Sequence, residues 1–361
     1  MEILNIQDWR ISVGSKPVII AGPCSAETED QVLMTAKSLV SKGIRIFRAG
    51  IWKPRTRPNA FEGIGSIGLQ WMKRAKEETG ILLATEVATP EHLEECLETG
   101  IDIFWIGART SANPFAMQEL AEAMKGMDLP VLVKNPVNPD TDLWQGAIER
   151  LQIAGIERIG AVHRGVSSYD PGPYRNVPLW EMPIELKRRI PDITMLCDPS
   201  HIAGNRIMIE SVAQKAFDLN FDGLMIETHN DPDQAWTDAQ QQINPEQLDR
   251  MLRSIKLRLV HPEGISYEQL DEWRDKIDEL DIQMLEILLK RMEIVNEIGR
   301  YKKACNMTIL QPERWNNVLM KNIRQSEEKH LGKDLITKIF FAIHEESIRK
   351  QTEIMNKKEP G

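Results

Sequence analysis

Val18-Ile19-Ile20-Ala21-Gly22-Pro23-Cys24-Ser25 joins a short apolar run to an abrupt turn that ends in a metal-competent side chain. The same pattern recurs seven more times. Ile44–Phe47 leads into Arg48-Ala49-Gly50, Ile81–Ala84 into Thr85-Glu86, and Ile103–Ile106 into Gly107-Ala108-Arg109-Thr110. Val131–Val133 leads into Lys134-Asn135-Pro136, and Ile159–Val162 into His163-Arg164-Gly165. Thr194–Leu196 runs into Cys197-Asp198-Pro199-Ser200-His201, and Leu224–Ile226 into Glu227-Thr228-His229. Apolar runs that do not alternate predict strands buried on both faces, hence a parallel sheet. Eight of them, separated by helix-length polar segments, predict an α/β fold: a (β/α)8 TIM barrel over residues 1–259. Such barrels place their chemistry at the carboxyl ends of the strands, where these reactive residues fall.

Beyond the barrel the pattern changes. Val260-His261-Pro262-Glu263-Gly264-Ile265 reads as a linker (260–266), because Pro and Gly break regular structure. A small all-α domain is expected over 267–361. Apolar residues at Leu270, Trp273, Ile277, Leu280, Met284, Ile287, Ile294, Ile298 and Tyr301 alternate in threes and fours, the mark of a long helix with a narrow packing seam. Arg291 interrupts that seam. A helix from Tyr267 to Cys305 would extend nearly 60 Å at about 1.5 Å per residue. So short a tail cannot cover it alone, and two copies covering each other is the economical solution. A second helix is expected with Pro312 in its first turn. A third should run from Lys333 past Gln351, with Asn356–Gly361 frayed.

Composition bounds the partners. The 361 residues carry a formal charge of −9 and no basic tail or stripe, which argues against nucleic acid. No apolar run approaches the roughly 20 residues that span a bilayer, and Met1–Arg10 lacks the apolar core of a signal peptide. Four scattered cysteines show neither disulfide nor zinc-finger spacing, which suits a reducing cytoplasm.

Cys24, His201, Glu227 and Asp238 could form one site for a divalent metal. Three of them end strands one, seven and eight, which become neighbours when the barrel closes, and Asp238 follows strand eight. Sulfur, nitrogen and oxygen together admit manganese, iron, zinc or cobalt. Taken singly, each has an ordinary structural reading, from buried small hydrophobe to helix cap; joint placement at one mouth favours metal. Arg48, Lys53, Arg55, Arg109, Lys134 and Arg164 form a basic set at the same mouth. Arginine forks match phosphate and carboxylate oxygens, and cations packed this closely imply an anionic ligand. Pairing with Glu86 and other strand-end acids accounts for one of them, not all six.

The motifs Gly22-Pro23-Cys24-Ser25, Lys53-Pro54-Arg55-Thr56, Gly107-Ala108-Arg109, Lys134-Asn135-Pro136, Asp198-Pro199-Ser200-His201 and Ile226-Glu227-Thr228-His229 resemble the type I-beta 3-deoxy-D-arabino-heptulosonate-7-phosphate (DAHP) synthases. The resemblance covers residues 7–257. It implies that Cys24, His201, Glu227 and Asp238 hold the metal, and that Arg48, Lys53, Arg109, Lys134 and Arg164 bind phosphoenolpyruvate. Arg55 and Thr56 would then take the phosphate of erythrose 4-phosphate. The eight-carbon octulosonate phosphate synthases are the nearest rival; they typically carry Ala-Asn-Arg-Ser where this chain has Pro54-Arg55-Thr56.

In the tail, Arg291 and Lys302 are about three turns apart and point one way, and Ser347 and Gln351 share a face. Arg274 lies roughly 100° around the helix from Arg291, an offset that suits a reach into a partner chain's site. The ordinary readings are a register-fixing polar seam residue for Arg291 and a solvated face for Arg274 and Lys302. Leu270-Asp271-Glu272-Trp273-Arg274-Asp275-Lys276-Ile277-Asp278, Leu288-Leu289-Lys290-Arg291 and the Arg314 segment resemble the all-helical AroQ class of chorismate mutase over 266–355. That resemblance implies a substrate site of Arg274 (from the opposite subunit), Arg291, Lys302, Gln311, Arg314, Ser347 and Gln351. Lys302 and Gln351 would face the breaking ether oxygen, and the arginines the two carboxylates. Two positions depart from the family: Gln311 stands where an acid is common, and Trp315 where a glutamate usually bonds the substrate hydroxyl. An indole donates one hydrogen bond and accepts none. The implied whole is a bifunctional enzyme; a regulatory or dimerising tail with little turnover is the alternative. Regulation of the barrel by tail ligands is a further expectation.

Overall fold

The computed structural model describes residues 3–9, 17–53, 61–258, 260, 262 and 264–357. Eight parallel strands close in sequence order: β1 Val18–Gly22, β2 Ile46–Arg48, β3 Leu82–Val87, β4 Ile103–Ile106, β5 Val131–Lys134, β6 Ile159–His163, β7 Thr194–Cys197 and β8 Gly223–Glu227. β8 pairs with β1 from Val18↔Gly223 to Gly22↔Glu227, so the sheet has no edge. Most boundaries differ from the expected runs by a single residue, and β2 and β3 differ by more. β2 begins at Ile46 rather than Ile44, and β3 extends through Thr85-Glu86 to Val87.

Among the described residues nine helices with their caps surround the strands: α1 Glu29–Ser41, α2 Ile67–Thr79, α3 Pro90–Thr99, α4 Pro114–Ala123, α5 Thr141–Ile153, α6 Glu181–Arg189, α7 Pro199–Ala203, α8 Ile209–Asp218 and α9 Pro245–Ser254. Several start at a side-chain cap that satisfies an orphan amide. Thr28, Thr89, Asn113, Asp140 and Asp198 each accept from an amide of the first turn, and Asn244 with Gln247 forms a capping box. Four of these helices carry Pro in that turn, where its missing N–H costs nothing.

Strands buried on both faces support two apolar layers. One lies between strands and helices; the other fills the barrel with Val18, Ile20, Ile46, Ala84, Ile103, Trp105, Leu132, Val162, Leu196 and Met225. Ile6 and Trp9 close the amino-terminal end of that interior. The Ile6 amide donates to Thr194 Oγ1 at 2.8 Å, and Arg158 donates to Trp9 O at 2.9 Å. At the opposite end Gly22 is required by space, since a Cβ there would lie 2.0 Å from Arg48 O.

His163, at the end of β6, packs against Trp144, Trp180 and Phe221. Burial pushes its imidazole down to about 4, against the opposing effect of its contact with Pro178 O. Unfolded histidine titrates near 6.5, so between these values the unfolded chain binds the extra proton. Stability from this group is therefore full above pH 6.5 and is lost as pH falls toward 4, by up to about 3 kcal/mol. We expect the melting temperature to drop over that window, and His163→Gln to flatten the dependence. Equal pH slopes in the two proteins would contradict it.

The chain divides into compact units Met1–His261 and Pro262–Gly361. The second unit holds α10 Glu268–Ala304, α11 Pro312–Glu328 and α12 Lys333–Asn356. Pro312 is in the first turn of α11, and α12 continues through Asn356. Arg291 meets Ser347, and Lys303 meets the carbonyls of Ile354 and Lys357, so α12 runs in the same direction beside the second half of α10. Gly299 allows that approach: a Cβ there would meet Ile354 at 2.9 Å. Val295 and Ile323 are the only buried hydrophobic side chains among the tail's described residues. The α10 residues Leu270, Trp273, Ile277, Leu280, Met284, Ile287, Ile294, Ile298 and Tyr301 are all exposed.

Candidate active sites

At the carboxyl end of the barrel, donor atoms of Cys24, Glu227 and Asp238 lie within 4.8 Å of one another. Cys24 is two residues past β1 and Glu227 ends β8. Asp238 lies on the loop after β8 with a left-handed φ of 50°. His201 is not at a strand end as expected; it sits on α7, four residues beyond β7. Its Nε2 is 3.8 Å from Glu227 Oε1, which places it beside the cluster rather than within it.

Asp198 organises this corner. Its Oδ1 caps α7 by accepting from the His201 amide at 3.1 Å. Its Oδ2 lies 2.8 Å from His201 Nδ1 and accepts from Lys134 Nζ at 2.7 Å. With Nδ1 turned to the carboxylate, Nε2 is the nitrogen presented to the cluster. Burial holds His201 below its ordinary value, which favours the neutral, ligating form.

The other donors differ in charge for identifiable reasons. Burial, helped by Glu227 and opposed by Lys53, pushes the Cys24 thiol up to about 12. Burial alone would raise Asp238, but Arg175 and His201 bring it down to about 2. Glu227 is likewise held below its usual range by His201 and Arg48 despite complete burial. Lys53 donates to Cys24 Sγ at 3.1 Å and also contacts Cys24 O. Two ionised carboxylates and a thiol grouped together, with a neutral imidazole beside one of the carboxylates, offer donor types that suit a transition metal.

Beside the cluster is a cavity of about 260 Å³ lined by Lys53, Arg109, Lys134, Arg164, Arg175 and Glu86, among others. Arg48 ends β2, Lys134 ends β5 and Arg164 follows β6. Arg109 lies three residues beyond β4 and is exposed. Arg48 and Lys134 both lie over the Trp105 ring, at 4.8 and 5.7 Å from its centroid. Glu86 accepts from Trp105 Nε1 at 3.0 Å. Within the expected basic set, Arg48 pairs with Glu227 at 3.3 Å and Lys134 pairs with Asp198. Arg48 Nε and Nη1 are buried with no hydrogen-bond partner among the described residues. Arg164 is pushed by burial down to about 10 and donates to Asn176 Oδ1 at 2.7 Å. Arg55 and Thr56 lie outside the described residues.

Sequence reasoning missed Arg175, which donates to Asp238 at 2.9 Å and contacts Gln241. Gln241 in turn donates to Glu227 Oε2 at 2.6 Å. Arg175 follows a Pro-Gly-Pro loop with no periodicity to announce it. Asp198 was likewise assigned no role from the sequence, although it caps α7 and holds Lys134.

In the tail, Arg291 donates to Ser347 Oγ at 2.8 Å, and Gln351 Nε2 donates to Ser347 O at 3.3 Å. Lys302, Ser347 and Gln351 are buried, an unusual group for so small a unit. Gln351 Oε1 has no partner among the described residues. Lys302 Nζ donates to Ile309 O at 2.5 Å. Gln311 is the amino-terminal cap position of α11, and Arg314 is exposed in its first turn. Arg274 pairs with Asp271 at 2.8 Å on the exposed first half of α10.

Fold and site together define a (β/α)8 barrel that gathers cations around a small cavity beside a cluster of sulfur, nitrogen and oxygen donors. The chain belongs to the DAHP synthetase I family, whose model matches residues 2–258, and a chorismate mutase type II model matches residues 273–352. It is thus a fusion of the two. A phospho-2-dehydro-3-deoxyheptonate aldolase of Thermotoga maritima is 28% identical over 254 residues, covering 70% of this chain and 73% of the relative. A 2-dehydro-3-deoxyphosphooctonate aldolase of Nitratidesulfovibrio vulgaris is 28% identical over 264 residues, 68% of this chain and 91% of that one. The crystal structure of the Thermotoga maritima DAHP synthase superposes with a TM-score of 0.62 at 26% identity, over 70% of this chain and 72% of that one. Among the described residues no helix is long and apolar enough to cross a membrane.

Proposed function

We propose that the barrel condenses phosphoenolpyruvate with erythrose 4-phosphate to 3-deoxy-D-arabino-heptulosonate 7-phosphate and phosphate, and that the tail rearranges chorismate to prephenate. The observation that carries the first activity is the cationic cavity beside the donor cluster. Arg48 has two buried N–H groups without a partner among the described residues, and an anion would satisfy them. Lys53, Arg109, Lys134 and Arg164 would complete a clamp on the phosphate and carboxylate of phosphoenolpyruvate. Arg55 and Thr56 would take the sugar phosphate.

Cys24, His201, Glu227 and Asp238 would hold a divalent manganese, iron, zinc or cobalt ion. When bound, such an ion supplies Lewis-acid polarisation of the aldehyde oxygen. Asp198 keeps His201 turned to the cluster, and Arg175 keeps Asp238 ionised and oriented. The clamp aligns the enol carbon with the aldehyde carbon, which lowers the barrier by positioning. Carbon–carbon bond formation leaves a cationic carbon at the former enol; water adds there, and phosphate departs.

The tail reaction is pericyclic and needs no proton transfer. It needs a folded dicarboxylate and positive charge at the breaking ether oxygen. Arg291 and Arg314 suit the carboxylates. Lys302 and Gln351, both buried, suit the ether oxygen. Arg274 would come from a second copy, and so would cover for the exposed apolar face of α10. Light scattering should therefore give a dimer or a larger species. Leu280→Glu, on that face, should shift it toward the monomer, whereas a monomeric unaltered protein would remove the partner site.

The test of both activities is direct. Full-length protein with a divalent metal should release phosphate from phosphoenolpyruvate only when erythrose 4-phosphate is present, and should consume chorismate in a separate ultraviolet assay. Phosphate release with arabinose 5-phosphate instead would move the barrel to the octulosonate reaction.

A further inference from the structure

Trp315 on α11 and His344 on α12 lie face to face, with ring centroids 3.9 Å apart and planes 8° from parallel. Phe341 meets the same indole edge-on at 5.2 Å, which fixes the indole from a second side. His344 is one turn before Ser347 on α12, so the two share a face, and Ser347 accepts from Arg291. Neither ring nitrogen of His344 has a hydrogen-bond partner among the described residues.

We propose that His344 is a substrate-binding residue of the tail's site, its ring accepting a hydrogen bond from the substrate's hydroxyl while Trp315 holds the ring in place. This rests on the chorismate reading given above. The need for such an acceptor follows from Trp315, whose indole can donate but not accept. A neutral imidazole carries one acceptor and one donor at its edge, and stacking covers only its faces. Burial and the nearby charge of Arg291 both hold His344 below its ordinary value, so the neutral form prevails at pH 7. A carboxylate acceptor here would offset part of the positive charge that the two substrate carboxylates require. A neutral ring does not.

The test compares two bicyclic ether dicarboxylates that mimic the folded substrate, one with the ring hydroxyl and one without it, bound to the full-length protein. The unaltered protein should prefer the hydroxylated compound by about tenfold or more. His344→Leu should bring the two affinities together, and His344→Gln, which keeps an acceptor, should retain part of the preference. Helix content by circular dichroism checks that the variants fold. An unchanged preference in a folded His344→Leu protein would overturn the assignment alone. Failure of the unaltered protein to bind either compound would overturn the chorismate reading and the assignment with it. Arg291→Ala, which should weaken both compounds equally, separates loss of the carboxylate contacts from loss of the hydroxyl contact.

Discussion

Cys24→Ala should reduce phosphate release from phosphoenolpyruvate and erythrose 4-phosphate by about a thousandfold or more, with chorismate turnover unaffected. The side chain is fully enclosed, with Asp238 Oδ2 at 3.3 Å and Lys53 Nζ at 3.1 Å from its sulfur. Removing it takes away the one sulfur of the proposed donor set and leaves Lys53 facing a void. A lost ligand weakens metal binding and with it several kcal/mol of charge stabilisation. Metal content after gel filtration should fall together with the rate. A variant that kept both its metal and its activity would remove Cys24 from the ligand set. The overall fold should survive, because the residue is small and sits in the mouth rather than between strands and helices.

Arg291→Ala should have the second-largest effect, a loss of chorismate turnover of about a hundredfold to ten-thousandfold with barrel activity retained. A guanidinium is suited to bind a carboxylate with paired hydrogen bonds, and removing one partner of such a contact costs roughly 3–5 kcal/mol. Burial already holds this arginine below its ordinary value, and among the described residues its one hydrogen bond is to the neutral Ser347 hydroxyl rather than to an acid. A cation held that way is poised for an anionic ligand. Turnover that survived the substitution would return Arg291 to a register-fixing role in the α10 seam.

Much of the barrel was legible because a strand buried on both faces leaves a continuous apolar run. The extension of β3 has an identifiable cause. β3 continues through Thr85-Glu86 because the Glu86 carboxylate finds Trp105, and Thr85 donates to Ala49 O, inside the closed sheet. Polarity ended the run on paper but not in space. His201 was expected to end a strand and is held instead on a one-turn helix, because the Asp198-Pro199 pair starts a helix directly after β7. Strand-end acids, Glu86 among them, were the ordinary alternative partners for a mouth cation; Glu227 and Asp198 take that part, while Glu86 accepts from Trp105.

The three tail helices were visible from their spacing, since a three-four apolar alternation and a proline in the first turn are local signals. Trp315 was visible as a departure from the family pattern. Its stacking on His344 was not, because the two belong to different helices.

The sequence by itself determined what local chemistry and period can determine: eight double-buried strands, a change to helical spacing after the barrel, and reactive residues at the strand ends. Only the tertiary structure decided which of those residues meet. Closure of β8 onto β1 brings Glu227 beside Cys24 as the barrel reading expected, but Asp198 also holds Lys134, and a loop with no periodic signal delivers Arg175 to Asp238. Such pairings depend on register and crossover geometry summed over the whole barrel, and no single segment encodes them.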